Sequence, residues 1–190
     1  GVYFTNGSAK FMPELAEKYN ISLDIVVDVI KGKKGQMYRK GEMSADIFWA
    51  YAKDTLNIEA DNKELSIAWA ETYQEIPAMK KLVTALRMAG YRVLFFSNNI
   101  PERIDNLESR YHFRGNFDGG VLSYEVGVSK PDPRAYHIAL EKAECEAAQC
   151  IMIDNRNDFL KPAKALGMQT ILFESPEKLQ KELKAFVVFE

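Results

Sequence analysis

The sequence predicts an α/β fold, a parallel sheet covered on both faces with an all-helical module set into the amino-terminal part, and three observations carry that prediction. Val93, Leu94, Phe95 and Phe96 follow one another without the alternation of a half-exposed strand, so residues 91–99 read as a buried strand that stops at Ser97, Asn98 and Asn99 before Pro101. From Pro77 onward, helical and strand patterns alternate, which is the rhythm of βαβ units with right-handed crossovers. Between them, residues 11–73 place apolar side chains at spacings of three and four with no strand pattern.

Taken in order, residues 1–8 are a short apolar piece followed by a turn signal at Asn6-Gly7-Ser8. Helical patterns then cover residues 12–19, 24–31, 45–56 and 62–70, with Ser44 and either Asp61 or Asn62 as expected starts. Pro77 fits the first turn of a helix that runs to Met88 and ends at Gly90. A strand over 92–96 and a helix over 101–110 follow, then a strand over 117–122 and a helix over 133–143. Residues 150–153 read as a strand, 159–166 as a helix closed by Gly167, and 170–173 as the next strand. Ser175, Pro176 and Glu177 read as cap, first position and first turn of a last helix.

Composition narrows the function classes. A chain of 190 residues with 47% hydrophobic and 27% charged residues is an ordinary globular length and balance. A formal net charge of -2 gives no electrostatic reason to expect nucleic acid or an anionic membrane as partner. Two cysteines, Cys145 and Cys150, do not make a disulfide framework and suit a reducing, cytoplasmic setting. No apolar stretch has the length of a membrane span.

Chemistry is expected where strands end, because ligands of parallel sheets bind beyond the carboxyl ends. Ser97-Asn98-Asn99 offers a hydroxyl and amides to an oxyanion. Lys130 lies in Val128-Ser129-Lys130-Pro131-Asp132-Pro133, where two prolines hold the ammonium in a set direction. Asp154 ends an apolar strand and is followed by Asn155, Arg156, Asn157 and Asp158. Singly, each has a plainer reading as a cap or a solvated loop residue. Hydroxyl, cation and carboxylate on successive strand ends are together what phosphoryl transfer requires, an anion clamp beside a place for a divalent metal.

These residues, in this order, resemble motifs two, three and four of the haloacid dehalogenase-like (HAD) hydrolase superfamily. The phrases Gly127 to Pro133, Pro162 to Met168 and Lys40-Gly41-Glu42-Met43-Ser44 are similar to the same places in its small helical-cap branch, which includes sugar-phosphate phosphatases and the amino-terminal phosphatase domain of soluble epoxide hydrolases. The resemblance implies a Rossmann-like α/β core, residues 1–10 and 74–190, with an inserted all-helical cap over residues 11–73. It implies an Mg2+-dependent phosphatase acting on a small phosphorylated metabolite, a sugar phosphate among the candidates, as a monomer or homodimer. Carried over residue by residue, Ser97 and the Asn98 backbone bind the transferring phosphoryl group, and Lys130 steadies the nucleophile and the phosphoryl charge. Asp154 and Asn155 hold the metal, and the cap excludes water and selects the substrate.

Two departures from the family pattern bear on activity. Gly1-Val2 matches only the tail of motif one, so the nucleophilic aspartate is expected about three residues before Gly1, outside the given sequence. Asn155 stands where relatives usually carry a second carboxylate, with Asp158 one turn on. Two other readings stay open at this point: a catalytically degenerate HAD-fold binding protein, and a 2-haloacid dehalogenase, against which the acidic Asp154 speaks. Among the aromatic residues of the helical module, Phe48, Trp49, Tyr51, Trp69 and Tyr73 are expected mainly in its core. Arg39, with Lys34 and Lys40, lies between expected helices of the module, where two readings stay open, a solvated loop cation, the usual case, and one that reaches a substrate anion, and neither His112 nor His137 is assigned a catalytic role.

Overall fold

The structure, a computed structural model, describes residues 1–188, so residues 189 and 190, assigned to the core by the sequence, lie outside it. The chain begins with helices α1 (Gly7–Tyr19), α2 (Leu23–Lys31), α3 (Lys33–Arg39), α4 (Ala45–Leu56) and α5 (Asn62–Glu71). Their starts are written locally: Asn6 accepts from the Ala9 N–H, Ser44 from Ile47, and Asp61 from both Lys63 and Glu64. Their inner faces meet around Phe11, Phe48, Trp49 and Trp69, all buried, with Ile30 and Leu65 beside them. The expected aromatic core is therefore present, while Tyr51 and Tyr73 are only partly covered.

The remainder alternates α6 (Pro77–Met88), β1 (Phe95–Ser97), α7 (Pro101–Tyr111), β2 (Gly120–Leu122), α8 (Ser123–Val126), α9 (Pro133–Ala143), β3 (Ile151–Asp154), α10 (Asn157–Ala165), β4 (Gln169–Leu172) and α11 (Pro176–Leu183). Proline opens α6, α7, α9 and α11, where a missing N–H breaks no helical bond. β1 pairs parallel with β2, Phe95 opposite Gly120, and β3 pairs parallel with β4, Ile151 opposite Gln169. The two pairs do not join into one sheet among the described residues. A cavity of about 1620 Å³ runs along β1 and β3, lined by Val93 to Phe96 and Ile151 to Ile153, and reaches Ser97 and Asp154 at their carboxyl ends. Among the described residues the buried side chains group into four clusters, with Tyr3 and Tyr73 each packed against two of them. No helix of the described residues is long and apolar enough to cross a membrane.

Several boundaries differ from the sequence-based expectation, each for a local reason. The strand expected over 92–96 begins only at Phe95. The Val93 N–H donates to the Asp118 carboxylate, and Arg92 turns its guanidinium to the Lys142 and Ala143 carbonyls and Glu144. The strand expected over 117–122 shrinks to Gly120–Leu122, because Phe117 closes a 3₁₀ turn on Arg114 and Asp118 is engaged by Arg87. Asn6-Gly7-Ser8 opens α1 instead of making a turn. Helix α3 was hidden by Gly32 and Gly35. A side chain at Gly35 would sit 2.1 Å from the Ile30 carbonyl oxygen, so the glycine permits a close approach of two helices. Strand β3 reaches one residue beyond expectation, so that Asp154 itself is in the ladder opposite Leu172.

Candidate active site

The carboxyl ends of β1 and β3 and the loop before α9 converge on the mouth of the cavity. Ser97, the last residue of β1, lines it, and its hydroxyl accepts from the Asn99 amide at 3.2 Å. The Asn98 side chain is taken up by the Lys130 backbone. Its amide nitrogen donates to the Lys130 carbonyl at 2.8 Å and its amide oxygen accepts from the Lys130 N–H at 2.9 Å, clamping the lysine loop to the end of β1.

That clamp aims Lys130 inward. Its ammonium donates to the Phe96 carbonyl at 2.8 Å and to Asp154 Oδ2 at 2.6 Å, and it lies 4.7 Å from the centre of the Phe96 ring. Both members of the pair are buried. Burial draws the Lys130 pKa below the ordinary lysine value, with the Asp154 carboxylate opposing that shift. The second Asp154 oxygen accepts from the Arg156 N–H. Ser97, Lys130 and Asp154, separated in sequence, are thus brought to one rim.

Asn155 is exposed beside Asp154, its side chain against Gly1. Asp158 is not turned to the rim. It pairs with Arg156, whose hydrogen bond holds its carboxyl below the usual range. The oxygen donors at this end of β3 are the Asp154 carboxylate and the Asn155 amide, and among the described residues no group of three or more His, Cys, Asp or Glu is arranged to hold a metal ion. All-oxygen donors with few charges fit Mg2+, which keeps waters and shares its shell with a substrate phosphate, better than a metal preferring nitrogen or sulfur.

Sequence reasoning missed the buried polar network behind this rim. Asn99 Oδ1 accepts from Arg103 Nη1 at 3.1 Å, and Arg103 is buried on α7 with its guanidinium 4.1 Å from the Trp69 ring centre and 4.5 Å from that of Tyr73. Ser123 is buried too, accepting from the Asn99 N–H at 3.0 Å while its hydroxyl donates to the Arg39 carbonyl. A signal for Arg103 existed: Ile100, Arg103, Ile104 and Leu107 share one helical face, so the arginine occupies a core position. His112 ends α7 and His137 lies on α9, and neither lines the cavity.

Known proteins resemble this chain in sequence and in fold. The sequence model of a family described as haloacid dehalogenase-like hydrolase matches residues 5–167. The chain is 27% identical over 190 residues to the glyceraldehyde 3-phosphate phosphatase of Methanothermobacter thermautotrophicus, covering 92% of this chain and 81% of that protein. It is 28% identical over 121 residues to bifunctional epoxide hydrolase 2 of Sus scrofa, covering 62% of this chain and 22% of that protein. Relatives from Dictyostelium discoideum, Mus musculus and Bos taurus are longer as well, the chain spanning 59%, 11% and 45% of their length. Among solved structures, a HAD family enzyme of Bacteroides thetaiotaomicron superposes with a TM-score of 0.81 at 19% identity, over 96% of this chain and 94% of that one. The same enzyme has been crystallised with magnesium and inorganic phosphate, and that form superposes with a TM-score of 0.69 at 19% identity, over 89% and 86%. The fold is thus the Rossmann-like α/β core with a helical cap, and the chain belongs to the haloacid dehalogenase-like hydrolases.

Proposed function

We propose that this chain carries the core and cap of an Mg2+-dependent phosphatase acting on a small phosphorylated metabolite. The observation that carries the reading is the buried Lys130–Asp154 pair at the end of β3, set beside the Ser97 hydroxyl at the end of β1. Ser97 would donate to a non-bridging oxygen of the transferring phosphoryl group. Lys130 would offset the charge on that group and on the attacking carboxylate, and its burial raises the strength of both interactions. Asp154 and Asn155 would hold Mg2+, whose chemistry there is to neutralise phosphoryl oxygens. Residues 11–73 would act as the cap and residues 1–10 with 74–190 as the core. The phosphatase named among the relatives, and the magnesium and phosphate bound by the Bacteroides enzyme, favour this reading.

One observation favours a second reading, a binder of phosphorylated ligands without turnover: Asn155 leaves Asp154 as the one carboxylate offered to a metal at this rim. The full-length gene product, assayed on p-nitrophenyl phosphate and a panel of sugar phosphates with Mg2+ and with EDTA, separates the two. Turnover that EDTA abolishes is expected. A folded protein without turnover at millimolar Mg2+ sinks the phosphatase and leaves the binder.

A further inference from the structure

Behind the rim, two arginines, Arg39 and Arg103, line the same cavity, and no carboxylate among the described residues pairs with either. Arg103 is buried, and its Nε and Nη2 have no hydrogen-bond acceptor, while Nη1 is taken by Asn99. Arg39, at the end of α3, anchors one nitrogen on the Ile30 and Gly35 carbonyls at 2.8 and 2.9 Å. Its guanidinium lies 5.3 Å from the Trp69 ring centre, the ring that Arg103 also covers. Neither takes part in any of the ion pairs found among the described residues. The carboxylate nearest along the chain, Glu102, accepts instead from the Tyr38 hydroxyl at 2.6 Å. Burial and then the Arg103 charge bring the Arg39 pKa down to about 10, so the two cations around the Trp69 ring repel one another.

A protein interior normally satisfies a buried guanidinium with a carboxylate or several carbonyls. Here aromatic faces supply part of that need and polar nitrogens remain over. The location adds a direction: Arg103 bonds Asn99, Asn99 bonds Ser97, and Arg39 and Arg103 come from opposite sides of the junction between helices α1–α5 and the strand-bearing remainder. An anion seated there would lie a short way from a group held at Ser97.

We propose that Arg39 and Arg103 form a second anion subsite, so that the substrate is a small phosphomonoester bearing a second, non-transferring anionic group. The inference builds on the phosphatase reading for the word substrate, while the subsite itself rests only on the two arginines. Guanidinium forks bind carboxylate and phosphate alike, so either group meets the requirement.

The test measures both binding and turnover with the full-length gene product. The probes are 2-phosphoglycolate for a carboxylate, fructose 1,6-bisphosphate for a second phosphate, and methyl phosphate and glycerol 3-phosphate as esters with one anionic group. Calorimetry is expected to give at least roughly tenfold tighter binding of one doubly anionic probe than of the single esters. The carboxylate and phosphate arms tell which second group is preferred. Arg39→Met and Arg103→Met are expected to bring that ratio towards one, and Arg39→Lys to keep part of it. Arg39 is only half-buried, so its variants remain informative if Arg103→Met does not fold. Equal binding of doubly and singly anionic probes by the wild type, or a ratio unchanged in Arg39→Met, overturns the subsite even where turnover is brisk. Selective binding without turnover of any probe supports the subsite and overturns the phosphatase.

Discussion

The Lys130 ammonium stands 2.6 Å from the Asp154 carboxylate and, on its other side, 2.8 Å from the Phe96 carbonyl, so one side chain bridges the two strand pairs that do not share a ladder. The bridge is electrostatic where a continuous sheet would use backbone hydrogen bonds. Removing the cation alone strands a carboxylate in a buried place, and that asymmetry gives the first prediction.

Lys130→Met is expected to lower stability by about 3–5 kcal/mol, because Asp154 is left buried and uncompensated. Lys130→Met with Asp154→Asn is expected to cost less than the two single changes added together, since no charge then remains unpaired. Urea denaturation of the four proteins measures the coupling, and strict additivity would show that the pair does not hold the strand ends together.

Ser97→Ala tests the chemistry without the same structural load. The hydroxyl is only partly buried and accepts a single hydrogen bond, from the Asn99 amide, so stability should change by about 1 kcal/mol or less. Loss of a donor aimed at a charged phosphoryl oxygen is expected to lower kcat/KM by roughly 10²–10³-fold. Steady-state kinetics on p-nitrophenyl phosphate reads this directly, and an unchanged kcat/KM would remove Ser97 from the site.

Asp118 provides a pH dependence away from the site. The Val93 N–H and then Arg87 hold its carboxyl below the usual value, tying α6 to the approach of β1. A depressed pKa means stability that is complete above the unfolded value of about 3.9 and is lost as pH falls through the folded pKa. The group is exposed, so the effect is small. Asp118→Asn is expected to cost about 0.5–1 kcal/mol at pH 7 and to match the wild type at acid pH below both values. Chemical denaturation of both proteins at the two pH values is the measurement.

How far the sequence spoke for itself follows from which signals are periodic. The helices of the amino-terminal module and the prolines that open α6, α7, α9 and α11 were legible because spacing and capping act locally. The start of β1 was not, because a carboxylate more than twenty residues away, Asp118, takes the Val93 N–H. Ser97, Lys130 and Asp154 were legible as polar endings of apolar strands. The use of the Asn98 amide to lock the Lys130 loop was invisible, since it depends on two chain segments meeting. Arg103 was concealed for the opposite reason: an arginine on a helix ordinarily signals solvent, and only its place among Ile100, Ile104 and Leu107 argues otherwise.

The Ser123 hydroxyl links the end of α3 to the residues just past β1. It is buried at the start of α8, donates to the Arg39 carbonyl at the end of α3, and accepts from the N–H of Asn99 just past β1. Arg39 and Asn99 each also help to hold the arginine cluster, through the Arg39 guanidinium and through the Asn99–Arg103 hydrogen bond. Ser123→Ala removes one oxygen and leaves a carbonyl and an N–H without their partner, each at a cost of about 1–3 kcal/mol when buried. A total loss of about 2–4 kcal/mol is therefore expected, since the loops can relax a little towards water. Ser123→Thr keeps the hydroxyl but adds a methyl in a packed position, so it should lose less hydrogen bonding and more packing. If hydroxyl bridging is what matters, amide exchange at Asn99 will quicken in Ser123→Ala more than in Ser123→Thr. Equal exchange in both variants would assign the residue to packing alone.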